Sequence, residues 1–330
     1  MARKITEGFE AGDLLNFTYA VSATLNTTSP RSGVYTVQCY PNTSFYKQFP
    51  DPISEYYTRY GIYTAKKEPN QILLSVRSGA STSIHSVVVN ATYGLNLLVG
   101  STVVASTESF LYRIDTWYLI ELHGKIHDTE GVLELKVDGN ILATYTGDTK
   151  PGADTTVDTL LWLCPNATGF NYRLDDIALN DTTGAVDNSW CGDGRVIALT
   201  PTGNSATLQW TPSAGDNYAC VDDVPPNSTD YVSVGIVDQK DIYTLSDPSI
   251  LDGSTINRVW VETRAKKEQA DEASLRPIIV SYETEYAQND YALTLNYTRI
   301  ATEEWLVNPN TAAVWTIQEL TDLQSGVVSK

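Results

Sequence analysis

Apolar and polar residues alternate with a period of two in short runs along this chain, and clusters of Gly, Pro, Asn, Asp and Ser separate the runs. That pattern predicts half-buried β-strands joined by turns. The clearest stretch is 117–146. There WYLIELH (117–123) predicts a strand with Trp117, Leu119 and Glu121 on one face and Tyr118, Ile120 and Leu122 on the other. GVLELKV (131–137) predicts its neighbour, and Asp138-Gly139-Asn140 predicts the hairpin turn into ILATYT (141–146), because these residues tolerate positive φ. Further strands are expected at 13–24, 34–40, 60–65, 71–77, 84–92, 93–99, 160–164 and 174–179, with edge-strand candidates at 101–106 and 109–114. The Pro-, Tyr- and Phe-rich stretch 41–58 reads as a loop crossing a sandwich. In the second half strands are expected at 195–199, 206–210, 231–237, 256–265, 277–284 and 291–298.

One helix is expected. Thr316-Ile317-Gln318-Glu319 has capping-box spacing. Ile317, Leu320 and Leu323 follow at helical spacing, and Gly326 reads as the stop. Many short strands with closely spaced turns predict an all-β protein of sandwiches or barrels. The 330 residues suffice for two such domains, each large enough to hold its own core. The Gly- and Asp-rich run DTTGAVDNSWCGDGR (181–195) marks the boundary. The expected organisation is a sandwich over 1–182, a linker over 183–195, and a second sandwich with the short helix over 196–330. Trp190 is expected to anchor the linker onto one domain.

Composition narrows the function. The net charge of −18 repels a phosphate backbone, so direct nucleic-acid binding is not expected. No run of about 18 apolar residues occurs to cross a membrane, and MARKITEGFEAGDLLNF lacks the apolar core of a signal peptide. Synthesis in a cytoplasm is therefore expected. Asn16, Asn26, Asn42, Asn90, Asn166, Asn180, Asn227 and Asn296 head N-x-[ST] sequons, read here as a polar β surface. Cys39, Cys164, Cys191 and Cys220 fit no zinc spacing. Free buried thiols are expected, with a Cys191–Cys220 bridge left open.

No catalytic, cofactor-binding or metal-binding residue is expected. Glycoside cleavage needs two carboxylates across an open cleft. Glu130 and Glu134 are the nearest pair, and with Gly131 between them they do not make the E-x-D-x-E pattern of β-sandwich glucanases. His123 and His127 stand four apart, but that spacing serves a metal only on a helix, and here it spans a strand end and a turn. His85 has no partner in the pattern. Calcium is the one cofactor considered, at Asp175-Asp176 with Asn180-Asp181 or at Asp222-Asp223. Neighbouring Asp side chains on a strand point to opposite faces, which weakens the first. Tyr56, Tyr57 and Tyr60 could form a sugar-stacking platform on a loop.

The strand Trp117–Leu122, the segments 133–139 (LELKVDG) and 140–146, and the late strand LDDIALND (174–181) resemble laminin-G-like and concanavalin A-like jelly rolls. That resemblance implies a jelly-roll fold for residues 1–182, in a superfamily of lectins, adhesion modules and hydrolases. The segments WCGDGRV (190–196), Trp210-Thr211-Pro212, DDVPPNSTDY (222–231) and NPNTAAVWTIQELTDLQSG (308–326) are similar to a two-domain structural protein of tailed bacteriophages. This second resemblance implies a non-enzymatic virion protein: capsid decoration, head fibre or tail-associated, homo-oligomeric, partnered by capsid or tail proteins. The alternative is a module that binds host-surface glycans, or a glycan hydrolase.

Overall fold

The computed structural model describes residues 2–79, 81–107, 113–164, 171–250 and 253–330. Residues 109–112 of one edge-strand candidate, and the sequon at Asn166, lie outside them. The chain divides into two compact units. The first comprises Met1–Glu10 and Asn16–Val196; the second comprises Ala11–Leu15 and Ile197–Lys330. The stretch 183–195 thus packs with the first unit, and a short N-terminal segment belongs to the second.

The first unit carries β1 (Arg3–Glu7), β2 (Tyr19–Asn26), β3 (Thr36–Ile53), β4 (Glu55–Thr64), β5 (Ile72–Ser78), β6 (Thr82–Val89) and β7 (Leu95–Val99). It continues with β8 (Thr102–Ser106), β9 (Trp117–Lys125), β10 (Gly131–Val137), β11 (Asn140–Gly147), β12 (Val157–Cys164) and β13 (Tyr172–Asn180). All pair antiparallel in the order β11-β10-β9-β4-β13-β3-β12-β5-β6-β7-β8, with β1 on β13 and β2 on β3. The long β3 is the fold line: Val37–Cys39 pair with β13, and Thr43–Ile53 pair with β12. One sheet therefore doubles over into the two layers of a jelly-roll sandwich. Tyr56, Tyr60, Trp162, Phe45 and Tyr172 are fully buried between the layers.

Two local irregularities shape this unit. The stretch 41–58, expected as a loop, is strand. Pro41 and Asn42 sit at a bulge where β2 skips from Ser44 to Cys39 of its partner, and Asn42 takes a left-handed φ of 69°. A bulge lets a strand carry proline without losing a ladder bond. A second skip, between Asp175 and Ala178, places Asp176 at φ 50°. The period of two is broken there, so Asp175 and Asp176 are both buried and do not divide between faces.

The second unit carries β14 (Pro201–Leu208), β15 (Thr211–Pro212), β16 (Val232–Ser233), β17 (Lys240–Leu245), β18 (Glu262–Ala265) and β19 (Ser274–Ser281). Then come β20 (Thr284–Ala287), β21 (Tyr291–Ala292), β22 (Thr298–Ala301), α1 (Ile317–Thr321) and β23 (Gln324–Ser329). Its main sheet runs β14-β17-β23-β19-β20, with β21 on β19, beside the ribbons β15-β16 and β18-β22. Trp305 and Trp315 pack with Ile279, Leu320 and Leu323 as one core cluster. Among the described residues the all-β expectation holds, including the one short α-helix. Gly326, expected to stop that helix, instead lies buried in β23, where a Cβ would collide with the Asp241 carbonyl of β17.

Candidate functional site

In β4 and β9 the register sets Tyr57 opposite His123, and β10 sets Glu134 on the far side of His123. Glu55 lies two residues before Tyr57, on the same outward face. Three strands thus bring three polar side chains onto one outer face of the sandwich. His123 Nε2 lies 2.9 Å from Glu55 Oε1, and Nδ1 lies 3.1 Å from Glu134 Oε2. Ionised carboxylates only accept hydrogen bonds, while neutral imidazole donates through one nitrogen. When both contacts are hydrogen bonds, the trio holds one proton more than neutral imidazole with two carboxylates.

Aromatic rings wall this trio. Tyr57 stacks on the imidazole at 4.2 Å and 7°. Trp190 meets Tyr57 edge-on at 5.5 Å and His123 at 5.8 Å. Lys136 Nζ stands 3.6 Å from the centre of the Trp190 ring. Burial, and after it the Glu55 and Glu134 carboxylates, push the Tyr57 phenol above its ordinary pKa. The His123 side chain is 9% exposed, whereas Glu55 and Glu134 keep 26% and 24%, so solvent reaches the trio from its carboxylate ends.

Trp190 is delivered by a strap that lies over the middle of the same face. Arg59 NH1 donates to the Gly192 carbonyl at 2.8 Å, and Gly192 N donates to Glu121 Oε1 at 2.8 Å. Asn180 Nδ2 holds the Ser189 carbonyl at 2.8 Å, and Cys191 Sγ donates to the Tyr57 carbonyl at 3.3 Å. Val196 N reaches Asp176 Oδ1 at 3.0 Å, and Arg31 bridges Asp176 and Asp193. Gly194 is needed for this close seating, since a side chain there would strike the Arg59 guanidinium.

The residues singled out from the sequence separate sharply. Glu134 and His123 are in the site. Glu130 is exposed, 3.9 Å from Lys125, and His127 Nδ1 accepts the Glu130 N–H at 2.9 Å in a turn. His85 is in the core, 2.8 Å from Tyr56 Oη and 3.0 Å from the Thr149 carbonyl. The carbonyl only accepts, so Nε2 carries the proton and Nδ1 takes the Tyr56 hydroxyl; burial holds this imidazole down at about 4. The expected tyrosine loop is a strand: Tyr56 and Tyr60 point inward, and only Tyr57 faces out.

The calcium candidates in the first unit are otherwise engaged. Asp175 accepts from Arg31 N, Ser32 N and Asp176 N; Asp176 accepts from Ser32 Oγ and Arg31. Asn180 pairs with Arg3, and Asp181 with Lys4 and Thr183. Asp222 and Asp223 follow a short 3-10 turn, Tyr218–Cys220. Among the described residues, no three His, Cys, Asp or Glu side chains gather as metal ligands. None of the four cysteines is in a disulfide, so Cys191 and Cys220 are not bridged. Sequence reading missed Glu55 and Tyr57 as partners of His123. Sequence spacing could not show them, because the trio is assembled by strand register across positions 55, 123 and 134.

No family model matches the chain, and no curated protein matches it. Solved structures do match. "Cellulose induced protein, Cip1" is 14% identical, with 58% of this chain and 100% of that chain covered, at a TM-score of 0.45. An endo-beta-1,4-glucuronan lyase from the fungus Trichoderma reesei is 11% identical, covering 57% and 100%, at 0.38. Alginate lyase vAL-1 from Chlorella virus is 12% identical, covering 52% and 94%, at 0.36. On this finding two expectations are corrected. The structures named here include a glucuronan lyase and an alginate lyase and no phage virion protein, so neither the phage structural role nor the absence of enzymatic activity is kept. The phage likeness rested on short segments of the second half. The expectation of no catalysis rested on within-strand spacing, which is blind to a pair built across strands.

Proposed function

We propose that the first unit binds and cleaves a glycan on the outer face of β4, β9 and β10, with Glu55, His123 and Glu134 as its acid–base group. The observation that carries this reading is the double bridge from one imidazole to two partly exposed carboxylates, set against the rings of Tyr57 and Trp190. Aromatic faces suit the apolar side of a pyranose ring. A carboxyl group that protonates a leaving glycosidic oxygen is a general acid, and a carboxylate that takes a proton from water is a general base. The imidazole between them can carry a proton from one to the other and reset the pair. The overall reaction is hydrolysis: water adds across the bond, and its two hydrogens go to the freed hydroxyl and the new hemiacetal.

The test is release of reducing ends from a panel of polysaccharides. Wild type is expected to cleave at least one, with Glu134→Gln, Glu55→Gln and His123→Ala each lowering kcat about 100-fold. Wild type that binds a glycan, loses that binding in Tyr57→Ala and cleaves nothing would reduce the site to a binding surface. Wild type that neither binds nor cleaves any of the panel would end both.

A further inference from the structure

We infer that the far end of the same outer face holds a second saccharide-stacking site, built by Trp117, Tyr63 and Arg173, and that it takes an uncharged pyranose ring of the glycan chain whose other part lies at Tyr57. The inference rests on the proposed function for the class of ligand, and its geometry is independent of it. In the register of β9, β4, β13 and β3, Trp117, Tyr63, Arg173 and Gln38 stand side by side in one cross-strand row. Tyr63 lies six residues beyond Tyr57 on the regular strand β4, so both rings face outward, roughly 20 Å apart.

The row is fixed in place. The Trp117 and Tyr63 rings lie 5.6 Å apart at 49°, and the Arg173 guanidinium sits 4.9 Å over Tyr63. Tyr63 Oη donates to Asp115 Oδ1 at 2.8 Å. Asp115 holds that position through a left-handed φ of 56° and its own N–H bond to the Thr64 carbonyl. Trp117 Nε1 donates to the Ser29 carbonyl at 3.1 Å. Arg173 Nε donates to Gln38 Oε1 at 2.9 Å and NH1 to the Thr28 carbonyl at 2.6 Å. The polar end of each ring is thus spent on the protein, and Tyr63 and Trp117 both stay part-exposed at the surface. Rings locked before binding cost no rotamer entropy when a ligand arrives.

Charge selects the ligand. The chain carries −18, which disfavours a polyanion, and the Arg173 guanidinium already holds two carbonyl-type acceptors. Between the two ends, Arg31 lies over Gly61 and the strap lies over Arg59. A glycan therefore touches the ends separately, and the second site adds avidity for long chains.

The experiment measures affinity for long and short neutral glucans, mannans and xylans, and for a polyuronate. The proteins are wild type, Tyr57→Ala, the double variant Tyr63→Ala/Trp117→Ala, and Trp117→Phe. The double variant is expected to bind a long neutral glycan about tenfold more weakly, while Trp117→Phe keeps most of the affinity. Unchanged affinity in a double variant that melts like wild type would overturn the inference, as would a wild type that prefers the polyuronate or binds no neutral glycan. If Tyr57→Ala binds normally and the double variant does not, this site stands and the proposed cleavage face falls. The converse leaves the cleavage face and removes this site.

Discussion

His85 and His123 are the same side chain put to opposite uses by the face of the sheet each one occupies. His85 points into the core, where its two nitrogens meet one donor and one acceptor and stay neutral. Tyr56→Phe removes the donor and leaves a buried ring nitrogen unpartnered. The expected cost is about 1–3 kcal/mol, read from urea denaturation. Glu10 offers a test in pH. Burial pushes its carboxyl up to about 7 from an ordinary 4.5, against the pull of the Val34 and Tyr35 N–H bonds. Between those values the folded chain holds a proton that the unfolded chain has released, so stability falls as pH rises through the window. His85 acts the other way below its ordinary 6.5, since there the unfolded chain binds the extra proton. The clean readout is therefore a difference: the melting temperature of Glu10→Gln should gain on wild type between pH 5 and pH 8, and a gain of equal size at both would refute the assignment.

Among elements, those whose causes are local were legible in the sequence. β9, β10 and β11 start within a residue of the expected strands, because alternation and the Asp138-Gly139 turn are written in consecutive positions. Gly139 has φ 78° and open space where a Cβ would go. Gly139→Ala should therefore cost about 1 kcal/mol in chemical denaturation through backbone conformation alone. The capping box at α1 was equally readable, and both halves form: Thr316 Oγ1 accepts from Glu319 N, and the Glu319 carboxylate accepts from Thr316 N. Thr316→Ala is expected to cost about 1 kcal/mol by the same measurement. The part of β3 after residue 40, and strands β17 and β23, were not readable. Prolines concealed the bulged β3, and Gly326, taken for a helix stop, is required by the close approach of β17. The site was hidden for a related reason: Glu55, His123 and Glu134 meet only once three strands are paired in register.

At the scale of the molecule, the strap ties residues far apart in sequence into one unit. A chain ended after residue 182 would lose Trp190 and would strip the buried Arg59 of its carbonyl partners at 191 and 192. A chain ended after residue 196 keeps both. The first should melt lower than the second, and equal melting temperatures would show that the strap adds nothing. The short excursion at Ala11–Leu15 has a consequence of a different kind, in time. Its unit resumes at Ile197, so on a ribosome the first unit can be assembled while these five residues wait for the stretch after residue 196 to emerge. Residues 11–15 should therefore become resistant to protease only once the later residues they pack with have been made.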